Sequence, residues 1–207
     1  MAFRTLDDMG DIAGKRVLVR EDLNVPMAEG RVADDTRLRA TIQTLSELSD
    51  RGAKVLVLAH FGRPKGKVTS DMSLALIVPA LAHVLGRDVT FIDDCQGDAA
   101  LAKVTSLPNG GIAVLENTRF HKGEEKNDPD FVRALAANGD IFVNDAFSAA
   151  HRAHASTEGL ANTLVNRRMN KLQQMRWSAA GAHAVVVVRA HHINAANFSS
   201  PTLANAV

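Results

Sequence analysis

Five short runs of mainly apolar residues, rich in valine, leucine and isoleucine, limit the folds open to this chain more than any other feature. The runs are nearly continuous rather than alternating with polar residues, which is typical of strands that are buried on both faces. Helix-like segments separate them, and this alternation predicts an α/β fold with an open parallel sheet. The predicted strands are residues 16–20, 54–59, 89–92, 112–115 and 141–143.

Helix signals lie between the predicted strands. Asp34 or Asp35 is expected to cap a first helix, which carries leucine and isoleucine on one face and ends at Gly52. A second helix is predicted over 70–86, with Pro79 expected to kink or restart it because proline has no N–H to donate. Helices in these places would cover both faces of a parallel sheet.

Polar residues follow four of the predicted strands, at the points where those strands end. In an open parallel sheet, ligands bind in the crevice outside the carboxyl ends of the strands, so these positions are candidates for a binding site. A further arginine comes from the start of the first helix, where it can also face an anion. We call the whole set the rim: Asp22, Asn24, Arg37, His60, Arg63, Arg119, His151, Arg152 and His154.

Arginine dominates the rim, which contains Arg37, Arg63, Arg119 and Arg152. A guanidinium group binds phosphate and carboxylate in a bidentate fashion, so several arginines from separate strand ends suit a small molecule with more than one anionic group. The aspartate and asparagine of the rim would then orient its hydroxyl groups. The alternative is that each arginine belongs to a surface ion pair. Four arginines at corresponding positions favour the anion site.

Motifs for other chemistries are absent or incomplete. The stretch over 62–67 lacks the spacing and the Ser or Thr of a nucleotide-binding phosphate loop, and neither GxGxxG nor the GxSxG of a serine hydrolase occurs. Cys95 is the single cysteine, so neither a disulfide nor a zinc site made of cysteines is available, and we expect a small, partly buried residue there. His191 and His192 have no carboxylate nearby, and no metal site is predicted.

Charged residues are divided unevenly along the chain. Residues 1–158 contain all 23 acidic residues and 19 basic ones, a net charge of −4, whereas residues 159–207 contain five basic residues and no acidic one. Such a shift in composition predicts a boundary. We expect an α/β domain over 1–160 and a divergent tail over 161–207.

Composition also excludes several partners and locations. The first part of the chain is net acidic and the whole chain is only 4% aromatic, without tyrosine, which argues against nucleic acid as a partner. No apolar run is long enough to span a membrane, and the first residues are too acidic for a secretory leader. A cytoplasmic protein is expected. The Glu-Glu-Lys stretch at 124–126 is expected to be solvated.

Long motifs in a fixed order resemble the N-terminal domain of the phosphoglycerate kinase family, the glycolytic enzymes that move a phosphoryl group between 1,3-bisphosphoglycerate and ADP. The resemblance covers roughly residues 3–160. It implies the fold of that domain, an open parallel-sheet, three-layer, Rossmann-like α/β structure. The motifs are VLVREDLNVP (17–26), DDTRLRATIQTL (34–45), HFGRPKG (60–66), ENTRFHKGEEKNDPDF (116–131) and FVNDAFSAAHRAHAST (142–157).

The resemblance also implies a site for 3-phosphoglycerate at the rim. In the family, the arginine that matches Arg37 lies nearest the transferred phosphoryl group, which makes it the candidate catalytic residue. The other basic residues hold the phosphate and carboxylate of the substrate. Such transfer depends on positioning and charge stabilisation rather than on a protein nucleophile. The matching positions are Asp22, Leu23, Asn24, Arg37, His60, Phe61, Gly62, Arg63, Arg119 and Arg152.

This chain departs from the family's pattern in two ways. Relatives often have Val, Leu, Leu and Gly at the positions of Glu21, Phe61, Thr118 and Ser148, and none of these changes removes a contact group. Relatives also continue into a second domain that binds ATP or ADP and Mg²⁺. That domain has no counterpart here, so a truncated, inactive chain without nucleotide- or metal-binding residues is expected.

The tail, residues 161–207, shows how the chain departs from the family at the start of the second domain. A helix over 171–177 and a strand over 184–188 are predicted there, similar to the family's linker and the first strand of its second domain. The family has a glycine-rich GGAK motif after that strand, whereas this chain has Arg-Ala-His-His at 189–192. The lysine of the motif is therefore missing.

Three hypotheses follow for what the chain does. The first is the substrate-binding half of a phosphoglycerate kinase, monomeric, which binds 3-phosphoglycerate without catalysing transfer. The second is a damaged copy with marginal stability and no function, and the third is a non-catalytic phosphate-binding module. We favour the first. Ligand binding with normal stability but no turnover would fit the first and the third, whereas aggregation or loss of fixed packing would fit the second.

Overall fold

A five-stranded parallel sheet forms the centre of the protein. The structure is a computed structural model that describes residues 6–169, with side chains described as far as residue 164. The sheet has the strand order β5-β6-β4-β1-β7, and every neighbouring pair in it is parallel. The strands are β1 (Arg16–Arg20), β2 (Met27–Ala28), β3 (Arg31–Val32), β4 (Lys54–Leu58), β5 (Val89–Ile92), β6 (Ile112–Leu115) and β7 (Ile141–Asn144).

These bounds confirm all five predicted strands, two of them with one end shifted by a single residue. The small strands β2 and β3 were not predicted; they form an antiparallel hairpin outside the sheet. The hairpin is only two residues long on each side, too short for a period-2 pattern to be visible in the sequence. The helices are α1 (Thr36–Asp50), α2 (Val78–Leu85), α3 (Gly97–Ser106), α4 (Pro129–Ala137) and α5 (Leu160–Met169).

Side chains that alternate along the strands build two separate cores. On β1, Val17 and Val19 belong to one cluster together with buried leucines of α1 and α2. Leu18 points to the other face and packs in a second cluster with buried residues of α3, α4 and α5. The sheet is thus covered on both sides, and the predicted three-layer α/β fold is confirmed. No helix in the part of the chain that the structure describes is long and apolar enough to cross a membrane.

The helix predicted over 70–86 is shorter than expected, and this part of the prediction is wrong. Residues 70–76 form two 3₁₀ turns instead, and α2 starts only at Val78, with Pro79 in its first turn. Proline has no N–H to donate inside a helix, but it fits the first turn, where an N–H has no intrahelical partner to lose. Pro79 therefore restarts the helix, and Gly86, with φ +63°, ends it.

The order of the strands brings the candidate residues together. β1 lies between β4 and β7, so the chain leaves β1 in one direction for β4 and arrives on its other side with β7. Arg20, the last residue of β1, is paired in register with Leu58 and with Asn144, the last residues of β4 and β7. The loops that follow these three strands therefore meet at one edge, at a switch point of the sheet.

The described chain ends in a continuous helical segment. A π-helical turn over Ala155–Gly159 leads directly into α5, and Leu160 and Leu164 are buried in the second cluster. The boundary predicted after residue 160 stays a prediction. The helix predicted over 171–177 and the strand over 184–188 lie outside the described residues.

Candidate substrate site

A buried arginine lies beneath the rim. Arg20 is only 1% exposed; its Nε donates to Ser156 Oγ (3.0 Å) and its Nη2 to His60 Nδ1 (2.8 Å). Burial lowers the pKa of Arg20, although the carboxylates of Glu124 and Asp22 act in the opposite direction. Arg20 is absent from the rim predicted from the sequence, because it is the last residue of a strand. A charged residue that ends an otherwise apolar strand is the signal that could have revealed it.

His60 is held as a neutral ring. A guanidinium group can only donate, so Nδ1 of His60 accepts from Arg20 and the ring proton is on Nε2. Burial, followed by the positive charges of Arg20 and Arg119, lowers the pKa of His60 to about 3. At neutral pH His60 therefore offers an N–H donor without adding a charge.

The loop after β4 is fixed by two asparagines. Asn117 accepts from the N–H of Phe61 (3.2 Å) and donates to its carbonyl oxygen (2.7 Å). Asn24 accepts from the N–H of Gly62 (3.0 Å). Gly62 has φ +62°, and a Cβ at this position would lie 2.9 Å from the sulfur of Met72, so only glycine fits without strain. The loop is thereby tied to the chain after β1 and after β6.

Arg119 reaches this loop from the 3₁₀ turn after β6. Its Nη1 donates to the carbonyl oxygen of Gly62 (2.9 Å), and its Nε lies 3.3 Å from Glu125 without forming a hydrogen bond. Burial lowers the pKa of Arg119, and the positive charges of Arg152 and Arg63 lower it further. Arg119 therefore lies close to two other arginines of the rim.

Arg63 and Arg152 have no counter-charge in the part of the chain that the structure describes. Arg63 is exposed and Arg152 is half-buried, and neither guanidinium forms a hydrogen bond or salt bridge there. The charge of Arg152 also acts on His60. We call His60, Arg63, Arg119 and Arg152 the basic cluster. For Arg63 and Arg152 at least, the structure does not support the surface ion pairs considered as an alternative.

Arg37, unlike Arg63 and Arg152, is paired with a carboxylate. Its Nη1 donates to Asp22 Oδ2 (2.7 Å), which also accepts from Ser148 Oγ (2.6 Å). Burial alone would raise the pKa of Asp22, but hydrogen bonds from Ser148 and Asn24 and the charge of Arg37 outweigh it, so this pKa is lowered. Asp22 stays ionised and holds Arg37, half of whose side chain is exposed, at the start of α1.

Four other predicted positions are placed differently from the basic cluster. The side chains of Leu23 and Phe61 are buried in the core, so they could meet a ligand only through their backbone. His151 is exposed, and His154, directly before the π-helical turn, has its Nδ1 3.9 Å from Glu124 Oε1. Burial is the main cause that lowers the pKa of His154. Neither histidine is needed to complete the basic cluster.

Glu124 is buried, contrary to the expectation from the sequence. The 124–126 stretch was expected to be solvated, but Glu124 is fully buried. Its carboxylate accepts from the N–H (3.0 Å) and Oγ (2.5 Å) of Ser156, whose Oγ also accepts from Arg20. A chain from Arg20 through Ser156 to Glu124 thus supports the site from below. Lys126 is exposed, and the Glu125 side chain is 56% exposed, as expected.

Comparison with known proteins shows the family of this chain. A family model described as phosphoglycerate kinase matches residues 6–181. The chain belongs to the phosphoglycerate kinase family. This confirms the resemblance seen in the motifs.

Curated and solved relatives match this chain over only part of their own length. A phosphoglycerate kinase of Rhizorhabdus wittichii is 67% identical over 164 residues, 79% of this chain and 41% of the relative. That of Zymomonas mobilis is 61% identical over 193 residues, 91% of this chain and 49% of the relative. The solved phosphoglycerate kinase of Coxiella burnetii superposes with a TM-score of 0.69 at 33% identity, covering 82% of this chain and 44% of the other. The chain thus spans half or less of the length of these relatives.

Proposed function

We propose that the rim is the 3-phosphoglycerate site of a phosphoglycerate kinase, the enzyme that transfers a phosphoryl group between 1,3-bisphosphoglycerate and ADP. One observation carries this proposal: Arg63 and Arg152 have no counter-charge among the described residues and lie beside Arg119 and neutral His60. Unbalanced guanidinium groups at a switch point of a parallel sheet suit a small polyanion.

The basic cluster would bind the anionic groups of the substrate. Arg63 and Arg152 have free guanidinium donors for phosphate or carboxylate, and His60 contributes its Nε2–H. Asp22 and Asn24 lie beside them, with an ionised carboxylate that can accept from a hydroxyl group. These donors and acceptors match a molecule with a phosphate, a carboxylate and a hydroxyl between them.

Arg37 is the candidate catalytic residue. It is held by Asp22 at the first turn of α1, and half of its side chain remains exposed. From there it could stabilise the charge that develops on the transferred phosphoryl group. No described residue needs to act as a nucleophile, because positioning and charge stabilisation supply the catalysis in such transfers.

ATP or ADP and Mg²⁺ are the expected nucleotide and metal of the reaction. The rim does not fit Mg²⁺: it is dominated by arginine, and the carboxylate of Asp22 is already bound by Arg37 and Ser148. We assign none of the described residues to the nucleotide. The expectation is a monomeric, cytoplasmic protein whose described part binds substrate and does not turn it over alone.

Calorimetric titration with 3-phosphoglycerate at low salt tests the proposal, since screening is weakest there. Saturable binding is expected, weakened about tenfold to a hundredfold in Arg63→Ala and in Arg152→Ala. Arg133→Ala is the matched control, because Arg133 is an exposed arginine of α4 paired with Asp130. Absence of binding in a folded sample would contradict the proposal, as would equal weakening in the control.

A further inference from the structure

A second cluster of chemistry-bearing side chains lies outside the rim. Asp94, Cys95 and His121 each offer one ligand atom, and a carboxylate oxygen, a sulfur and a ring nitrogen all lie within 4.8 Å of one another. Sulfur, imidazole nitrogen and carboxylate oxygen are the ligands that Zn²⁺ takes in proteins. We propose that these three residues bind a thiophilic divalent cation such as Zn²⁺.

The topology explains why the three residues meet. Asp94 and Cys95 follow β5 directly, and His121 follows the 3₁₀ turn after β6. β5 and β6 are adjacent, with Ile92 opposite Leu115, so the chain leaves both strands at the same edge. The His121 ring is stacked on Phe131, with centroids 4.9 Å apart, and this contact fixes its plane. The candidate site therefore lies on the two loops that leave these neighbouring strands.

His121 has hydrogen-bond partners on both ring nitrogens, and its tautomer would change on binding a cation. His121 Nε2 lies 3.0 Å from Asp94 Oδ1, and its Nδ1 lies 3.1 Å from the side-chain amide of Gln96. A cation between Asp94 and Nε2 requires the ring proton to be on Nδ1, where the amide oxygen of Gln96 can accept it after a 180° rotation. Metal-bound histidines commonly have such a partner on their second nitrogen.

The surroundings of the sulfur are negative. Cys95 is buried, and the carboxylates of Asp94, Glu124 and Glu116 act on it electrostatically, so their negative charge would attract a cation. Binding would form a metal–sulfur bond and break the S–H bond of Cys95, with the proton released to solvent. No oxidant or reductant is needed.

Access and coordination number are also consistent with an ion. The Cys95 side chain is fully buried, whereas those of Asp94 and His121 are 46% and 23% exposed, so the cation would enter past these two. Metal–ligand distances of about 2.0–2.3 Å require ligand atoms closer together than 4.8 Å, so a small inward shift of the side chains is expected. Three protein ligands leave one position for water.

A simpler reading treats the same contacts as purely structural. Asp94 Oδ1 accepts from the N–H of Cys95 (2.6 Å) and of Gln96 (3.2 Å), a turn that leads into α3. On that reading His121 only completes the turn and binds no cation. The two readings differ in whether the sulfur is ever a ligand.

Titration of the full chain with Co²⁺, a coloured substitute for Zn²⁺, decides between them. Cys95 is the single cysteine, so any sulfur-to-cobalt charge-transfer band must come from it, whatever the other histidines bind. We expect such a band to saturate at one equivalent, to disappear on addition of Zn²⁺ and to be absent in Cys95→Ala. The cobalt affinity should fall about tenfold or more in His121→Ala.

His83→Ala is the matched control, because His83 is exposed on α2 and outside the cluster. Its band and affinity should equal those of the unmodified chain. Circular dichroism of each variant shows that it is folded. If the folded, unmodified chain gives no charge-transfer band, or if His121→Ala leaves the cobalt affinity unchanged, the site does not exist and the structural reading is correct.

Discussion

Arginines at the rim and arginines elsewhere on the protein differ in how often they are paired with a carboxylate. Away from the rim, paired arginines predominate among the described residues, with exposed Arg31 as an exception: Arg16 lies 2.8 Å from Asp140, Arg39 lies 2.8 Å from Asp35 and Arg87 lies 2.7 Å from Asp50. At the rim, Arg63 and Arg152 have no carboxylate partner in the described part of the chain. Two unpaired guanidinium groups therefore lie beside Arg119 and His60, an arrangement that stability alone does not require and that anion binding does.

Exposed and buried arginines also differ in how much they contribute to stability. The paired arginines are partly solvated, and such pairs typically contribute about 0–1 kcal/mol. Arg20, in contrast, is buried among His60, Ser156 and the nearby charge of Glu124. Removing one member of a buried charged network is far more costly, because the remaining charge loses its compensation.

The largest expected effect is therefore at Arg20. Replacing it in Arg20→Met should lower the free energy of unfolding by about 3 kcal/mol or more, since buried Glu124 loses a compensating positive charge. Arg133→Ala, at an exposed pair with Asp130, should change it by about 0.5 kcal/mol or less. Urea unfolding of both variants measures the two values. Similar losses in both would mean that the rim has no special support beneath it.

Whether a feature of this fold or site could be predicted from the sequence depends on how far apart in the chain the interacting residues lie. The five strands and the position of the rim follow from local apolar runs and from the rule that polar residues after parallel strands meet at one edge. The burial of Glu124 does not, because its partner Ser156 is 32 residues away and the local Glu-Glu-Lys sequence looks solvated. Arg20 meets His60 across 40 residues for the same reason. The local sequence pattern therefore predicted the strands, whereas the buried contacts beneath the rim depend on how distant segments pack together.

The second prediction uses pH to test whether the rim keeps His60 neutral. Its pKa in the folded protein is about 3, below the ordinary value of 6.5, so the unfolded chain binds a proton first as the pH falls. Stability from this group is present above pH 6.5 and is lost progressively below it, by up to about 1.4 kcal/mol per pH unit. Between pH 7 and pH 5 the loss should be about 2 kcal/mol.

His60→Gln removes that titration while keeping a polar side chain. Urea unfolding at pH 7, 6 and 5 should show a smaller loss of stability in the variant than in the unmodified chain. His83→Gln, at an exposed histidine of α2, is the control and should retain the full pH dependence. Parallel curves for His60→Gln and the unmodified chain would show that His60 is not shielded from protonation.

The smallest expected effect concerns an acid beside the rim. Glu21 is buried, one of its oxygens has no hydrogen-bond partner, and burial together with the charge of Asp145 raises its pKa well above the ordinary value. The folded protein then holds a proton that the unfolded chain releases, so this group lowers stability as the pH rises from about 4.5 towards its folded pKa. Glu21→Val should therefore stabilise the protein at neutral pH by about 1 kcal/mol, net of the small cavity that it leaves.

The pH dependence of the stability gained in Glu21→Val shows whether the gain comes from removing the ionisable group or from better packing. Because Glu21 is neutral in both states at low pH, the advantage of Glu21→Val should shrink between pH 7 and pH 4, as measured by urea unfolding. Glu21→Gln keeps the shape without the charge, and its gain should follow the same pH trend. A constant difference at all pH values would mean that Glu21 is not held neutral. The carboxylate would then be balanced by Arg20, and the basic charge of this end of the sheet would be less concentrated than the unpaired arginines indicate.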